Sequence, residues 1–443
     1  MCAITVNLKK KIGNMKPVHG ICNGPTVCSL PLDLSPQYKE AGFPYIRLHD
    51  TEYPFSYVVD VHSLFPNFSA DPEDPSNYDF PLTDDLMEKI YQLGAGVVYR
   101  LGASIEHTRK KYYVYPPADF EKWGHICAGI VRHYTQGWAN GFYYKNMKHW
   151  EIWNEPDLND QTWCGGTKEQ FFQLYTTASK IIKSAAPDIK VGGYAACNPK
   201  NKEFFEGFLQ AVKREQAPLD FYSWHLYFCD PAVFCDFSRV VREGLEKYGF
   251  SDTEIIFDEW NYFDSQWDIV QNPYAAPEQA RDAYDRQTTP KAAAFCAAMF
   301  DLFQREGVDI ASYYDGQPTM RWCGLFDRHG VKNPPFYSFK AYHMLYLLNH
   351  KLETIVSQEG VYAMAAGTEE ESAILISNYV GDIVPDLLLT GLWPHTKAEF
   401  YVLDRSHLLE WDKTEYYSAE KVEQRIALPK ESVLLIRLFP DQL

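Results

Sequence analysis

The chain has 443 residues and is 46% hydrophobic, enough to bury a large core in two or three folding units, although barrels of more than about 200 residues also form single ones. Acidic residues outnumber basic ones 59 to 42, and the formal charge of −17 repels phosphate backbones and anionic lipid, which excludes nucleic acid and membrane as expected partners. No run of about 18 uncharged apolar residues occurs, so no membrane-spanning helix is predicted.

The N-terminus, MCAITVNLKKKIGNMKP, has no long apolar stretch behind its basic residues, which does not fit a signal peptide. The ten cysteines are scattered without metal-ligand spacing and read as reduced thiols of a cytoplasmic protein. ITVNLKKKI alternates like a strand. Behind it comes a series of short, β-branched or aromatic segments, apolar on both faces: VHGICN (18–23), PYIRLHD (44–50), GVVYRLG (96–102) and HWEIWNE (149–155). IKVGGYA (189–195), DFYSWHLY (220–227), EIIFDEW (254–260) and DIASYYD (309–315) continue it. Such segments suit parallel strands inside a shell of helices.

Helical segments fall between them. One follows Thr83 as an expected N-cap and stops at Gly94; another occupies 117–139 behind Pro116. Thr167 and Gln170 form a capping-box pattern, and the stretches 276–306 and 336–349 supply the last two helices. Eight strands, most followed by a helix, predict a (β/α)8 TIM barrel over 16–350. After about residue 350, VYAMAAG, SAILISNYV, AEFYVLD and SVLLIRLF are separated by polar turns and lack helical period. They predict an accessory antiparallel β-sandwich over 351–443, joined by the N-terminal strand, 1–15.

Reactive groups of such a barrel sit where strands run into their following loops. The predicted strands end there in Asn23, His49 and Asp50, Arg100, Asn154 and Glu155, His225 and Tyr227, Asp258 and Glu259, and Tyr313, Tyr314 and Asp315. A carboxylate at the tip of a buried strand is costly to desolvate without a partner or a task. Two of them across a cleft suit glycosidic-bond cleavage: Glu155 on the fourth strand as acid/base, Glu259 on the seventh as nucleophile. Asn154 is positioned for a sugar hydroxyl, and Pro156 fixes the turn after the acid. His225 or Tyr227 is a donor that would keep Glu259 ionised.

WEIWNEP, followed about 100 residues later by IIFDEW, resembles clan A glycoside hydrolases, and within them family 39, known for β-xylosidases and α-L-iduronidases on a (β/α)8 barrel with an accessory β-sandwich. The resemblance spans nearly the whole chain and includes HGICNGP, PYIRLHD, YRLG and SWHLY. It implies retention of anomeric configuration through a covalent glycosyl-enzyme, with carboxyl groups about 5–5.5 Å apart. It also supports His49 and Asp50 as contacts to the terminal sugar; a structural hydrogen-bond pair is the plainer alternative.

Further readings concern the rest of the mouth. Arg47 and Arg100 brace the glutamates from below or pair inside the barrel. Tyr227 and Tyr314 are hydroxyl donors or ordinary core tyrosines, Trp322 a sugar-stacking platform or a loop-packing ring, and Glu106 and His107 loop residues near the pocket. Long loops at 50–80, 102–118 and 262–290 suggest an exo-acting pocket. The substrate class is a small oligosaccharide or glycoside, with β-xylosidase first and β-glucosidase, β-galactosidase, arabinosidase or α-L-iduronidase as alternatives. An iduronidase would need cations for the sugar carboxylate, with Arg321 and Lys332 as candidates. No cofactor or metal is called for, and a homo-oligomer is compatible with the sequence. Two readings from other classes stand beside these: a metal-dependent sugar isomerase using His49, Asp50, His225, Glu259 and Asp315, and a non-catalytic carbohydrate-binding protein.

Overall fold

The computed structural model describes residues 3–27, 32–272, 274–318 and 324–441. Eight short strands close into a parallel barrel: β1 (Gly20–Cys22), β2 (Tyr45–Leu48), β3 (Gly96–Leu101), β4 (His149–Ile152), β5 (Lys190–Ala196), β6 (Phe221–Phe228), β7 (Glu254–Tyr262) and β8 (Ile310–Tyr313). β8 returns to β1 through Ser312 and Tyr313 against Gly20 and Ile21. Each predicted strand is present, shortened or shifted by a few residues at its ends. Their outward apolar side chains pack under helices, and Phe221, Ile256 and Ile310 fill the end away from the strand-end loops.

The helices depart from expectation in two places. The helix Pro81–Gln92 begins two residues before Thr83, with Pro81 in its first turn. Thr83 is therefore inside it, and its hydroxyl donates to the Val58 carbonyl at 2.7 Å rather than capping. The stretch 276–306 is two helices, Pro277–Gln287 and Pro290–Glu306, because Pro290 starts a new helix with Thr289 as its cap. The Thr167–Gln170 capping box forms as predicted.

Two of the remaining strands, Thr26–Val27 and Leu32–Asp33, pair as a small antiparallel ribbon, and the other nine described strands form one sheet. The N-terminal strand Ala3–Asn14 lies inside it, antiparallel to His350–Val356 and parallel to Asp386–Thr390, the one parallel pairing among the described residues of an otherwise antiparallel sheet. The sheet curls over its own apolar face, where Ile4, Val6, Ile374, Ile376, Leu387 and Ile436 share a core. Alternate residues of the same strands, Ala373, Leu375 and Leu435, point the other way and join the core of the barrel.

Candidate active site

The acid carried by β7 owes its aim to an irregularity. Phe257 pairs with Trp224 and Glu259 with His225, so Asp258 is an extra residue between consecutive pairs. The same slip occurs against β8. In a regular strand neighbours face opposite sides; the bulge turns both Asp258 and Glu259 into the barrel, where both are buried. At the end of β4 the backbone bends through Trp153 and Glu155, each in the left-handed region with φ of 72° and 49°. That conformation is strained for a side chain bearing Cβ, and hydrogen bonds hold it. The Glu155 N–H donates to the Ala195 carbonyl at 3.0 Å, and the Glu155 carbonyl accepts from Leu158 N at 2.9 Å and from the Thr162 hydroxyl.

The two carboxylates meet. Glu155, His225 and Glu259 each present a ligand atom within 4.8 Å of the others. His225 Nδ1 is 2.8 Å from Glu155 Oε1 and 3.5 Å from Glu259 Oε2, while its Nε2 is 3.4 Å from Asp258 Oδ1. Burial by itself would depress this imidazole, but the Glu259 and Asp258 carboxylates raise its pKa well above the ordinary range. Glu259 accepts 2.6 Å from the Tyr227 hydroxyl on Oε2 and 2.7 Å from Arg47 Nη1 on Oε1. Burial lifts its pKa above the usual carboxylate value, with His225 and Arg47 pulling the other way.

Arg47 ties the floor together. It donates twice to Glu151 Oε2, at 2.6 and 2.9 Å, and once to Asn154 Oδ1 at 2.8 Å. Asp258 Oδ2 lies 2.9 Å from Arg47 Nε, whose N–H is directed at Glu151, so Asp258 gains a close positive charge rather than that hydrogen bond. Burial keeps Glu151 protonated well above the carboxylate range. Burial also acts on Asp258, but Arg47 and His225 outweigh it and hold Asp258 down to about 2. Arg100 follows the second of its two expected roles: it pairs inside the barrel with Asp60 at 2.5 Å, touches neither glutamate, and its Nε donates to His49 Nδ1 at 3.2 Å. That bond leaves the His49 proton on Nε2, which lies 3.4 Å from Asp50 Oδ1 and 3.8 Å from Glu259 Oε1.

Above these groups opens a cavity of about 440 Å³ lined by His49, Asp50, Glu155, His225, Tyr227, Glu259 and Tyr314. Asn154 sits just beneath, its Nδ2 buried without a hydrogen-bond acceptor, as a group waiting for a ligand oxygen would be. Asp50 accepts from Ile105 N at 2.9 Å, and burial pushes its carboxyl up to about 7. Trp322 and Arg321 lie outside the described residues. Among the described lining residues none is Lys or Arg, and Lys332 is instead paired with Glu40 at 2.7 Å. Asp315, one of the five metal ligands of the isomerase reading, bonds Gln317 and does not line the cavity. Glu106 staples its own loop by accepting from Tyr112 and Tyr113 N–H, and His107 lines the pocket. The sequence reading missed Trp267, Leu158, Cys197 and Phe237, all of which form walls. Leu158, Trp267 and Phe237 sit on helical segments beyond the strands, where neither strand-end position nor residue chemistry marks them; Cys197 directly follows β5, and its strand-end position is the signal that could have found it.

A family model for glycosyl hydrolases family 39 matches residues 32–359. A β-xylosidase of Caldicellulosiruptor saccharolyticus is 25% identical over 483 residues, spanning 97% of this chain and 92% of that one. Among solved structures, a glucosidase from Croceicoccus marinus superposes with a TM-score of 0.82 at 25% identity, covering 100% of both chains. A monomeric β-xylosidase from Caulobacter crescentus CB15 superposes with a TM-score of 0.72 at 19% identity, covering 99% of this chain and 100% of that one.

Proposed function

Since the chain belongs to glycosyl hydrolase family 39, and so is a retaining glycoside hydrolase, we propose that it is an exo-acting β-xylosidase with Glu155 as acid/base and Glu259 as nucleophile. The observation that carries the mechanism is the approach of a Glu155 oxygen to within 4.8 Å of a Glu259 oxygen. An inverting enzyme needs about 6.5–9.5 Å between its carboxyl groups to seat a water between them; the shorter gap suits direct attack on the anomeric carbon. Glu259 attacks and the leaving oxygen takes the Glu155 proton. Glu155 then removes a proton from the incoming water, and Glu259 departs from the sugar.

His49, Asp50, Asn154 and Tyr314 are assigned to hydroxyls of the bound sugar, and Tyr227 and His225 to the charge on Glu259. Catalysis is assigned to the unit 16–350 and support to 351–443 with the N-terminal strand. Among the described residues no helix is long and apolar enough to cross a membrane. The seven described cysteines are unpaired, which supports a reducing, cytoplasmic compartment. The likeness to the Croceicoccus marinus enzyme favours β-glucosidase as a second reading.

A panel of aryl β-xyloside, β-glucoside, β-galactoside, arabinoside and α-L-iduronide tests the glycon, with the highest kcat/KM expected on the xyloside; a glucoside preference would transfer the assignment to the second reading. Glu259→Gly should lose about 10⁴-fold or more in kcat on any β-glycoside substrate and recover with azide, releasing the α-glycosyl azide. A folded Glu259→Gly protein that azide does not rescue would remove the nucleophile from that position.

A further inference from the structure

Resting on the retaining reading above, we propose that the cavity on the acid/base side of Glu155 receives an apolar leaving group, an alkyl or aryl aglycone, in preference to a second sugar ring. Three side chains in the wall around Glu155 (Leu158, Cys197 and Phe237) serve sugar hydroxyls poorly or not at all. Leu158 is one short turn past the acid and donates its N–H back to the Glu155 carbonyl, which fixes its side chain at the acid's flank. The Cys197 thiol faces the Glu155 carboxyl, and burial keeps it protonated. Phe237 of the helix Pro231–Tyr248 faces the same space, anchored by Lys200 Nζ at 3.9 Å from its ring centroid. Leu226 and Val270 line the same cavity, Val270 packed with Tyr227 on the Glu259 side.

The polar groups divide differently. His49, His225 and Glu259 are buried around the glycon position, whereas Gln161 and Asn198, the polar lining residues beside the acid, are both exposed at its outer edge. A sugar ring packed against Leu158 and Phe237 would leave the hydroxyls on that face desolvated without partners, which disfavours it. An alkyl or aryl group incurs no such loss. The lining also includes Trp267, the first residue of the short helix Trp267–Gln271 after β7, which is 43% exposed. Aromatic rings alone would also fit sugars. The aliphatic lining next to the acid decides for the apolar group.

The wild-type enzyme is assayed on methyl, butyl and hexyl β-glycosides of whichever glycon the aryl panel identifies, beside the disaccharide of that same sugar. The alcohols differ little in acidity, so the series holds the chemistry constant and varies contact alone. A hexyl glycoside at least about tenfold better in kcat/KM than the methyl glycoside, and better than the disaccharide, is the expected result. A flat series with the disaccharide as the best substrate would overturn the proposal, and would do so whether or not that sugar is xylose. In Phe237→Asn and Leu158→Asn the hexyl-to-methyl ratio should fall at least about threefold. The ratio is internal to each preparation, so a partly folded variant still reports it, and an unchanged ratio in both variants counts against the wall.

Discussion

His225 is held between three carboxyl groups, 2.8 Å from Glu155, 3.5 Å from Glu259 and 3.4 Å from Asp258, and is driven toward the imidazolium form. A cation that close makes Glu259 easier to ionise, and a nucleophile must be ionised to attack. His225→Gln removes the charge, so Glu259 keeps its proton to higher pH. The acidic limb of kcat/KM against pH should therefore move up by about one unit on an activated aryl glycoside, for which protonation of the leaving group matters least. An acidic limb that stays in place would separate His225 from the ionisation of Glu259. Tyr227→Phe removes the 2.6 Å donor to the other edge of the same carboxylate. It should lower kcat about tenfold with the far-UV spectrum intact, and a variant at wild-type rate would show the hydroxyl to be idle. Both side chains are legible in SWHLY, because strand-end position and chemistry coincide there. Asp258 is not legible as their partner: adjacent residues of a strand normally diverge, and only the bulge brings Asp258 and Glu259 to one side.

Among elements, the joint between β2, β4 and β7 is a single guanidinium. Arg47 reaches Glu151 on β4, Asp258 and Glu259 on β7 and Asn154 in the loop beyond β4, with every one of these side chains buried. Arg47→Met would leave Asp258 and Glu259 as buried anions with His225 as their remaining close cation and, for Glu259, the Tyr227 hydroxyl. The expected cost is about 3–5 kcal/mol in urea unfolding, the range for breaking one side of a buried ion pair, together with loss of turnover. A stability change under about 1 kcal/mol would mean that water or proton uptake compensates the lost charge. The strands themselves are readable because burial on both faces leaves an unbroken apolar run bounded by turn residues, and all eight fall where that pattern places them. Helix ends are less readable. Thr83 has the chemistry of a cap, but Pro81 is already in the helix and the threonine hydroxyl is taken by Val58. The break at Pro290 sits inside a continuous helical pattern, and a proline there is compatible both with a kink and with a new first turn. Walls made of Leu158, Phe237 and Trp267 carry no chemical signature in sequence at all, since the same residues fill cores.

At the scale of the whole molecule, barrel and sheet share one core. The helix Pro290–Glu306 is buried on nearly all sides, from Ala292 through Gln304, as a helix with a packing partner on each flank must be. One flank meets the barrel; the other meets the sheet, where Ala373, Leu375 and Leu435 enter the same cluster and the Ser377 hydroxyl donates to the Ala294 carbonyl at 2.6 Å. The Tyr379 hydroxyl, just past that strand, donates to the Cys229 carbonyl at the exit of β6, one residue after the strand that carries His225 and Tyr227. Sheet removal therefore uncovers an apolar helix and releases a brace behind the site. The N-terminal strand binds the arrangement further, since it is the hydrogen-bonded neighbour of both His350–Val356 and Asp386–Thr390. The full chain should unfold in one transition, with the same midpoint by circular dichroism and by tryptophan fluorescence. A chain cut to residues 16–350 should aggregate and hydrolyse no glycoside, because the flank of Pro290–Glu306 that carries Ala294 then loses its sheet cover and faces water. Two resolved transitions in the full chain, or a soluble and active 16–350 fragment, would mean that the barrel folds on its own and that the shared core is a contact between independent domains.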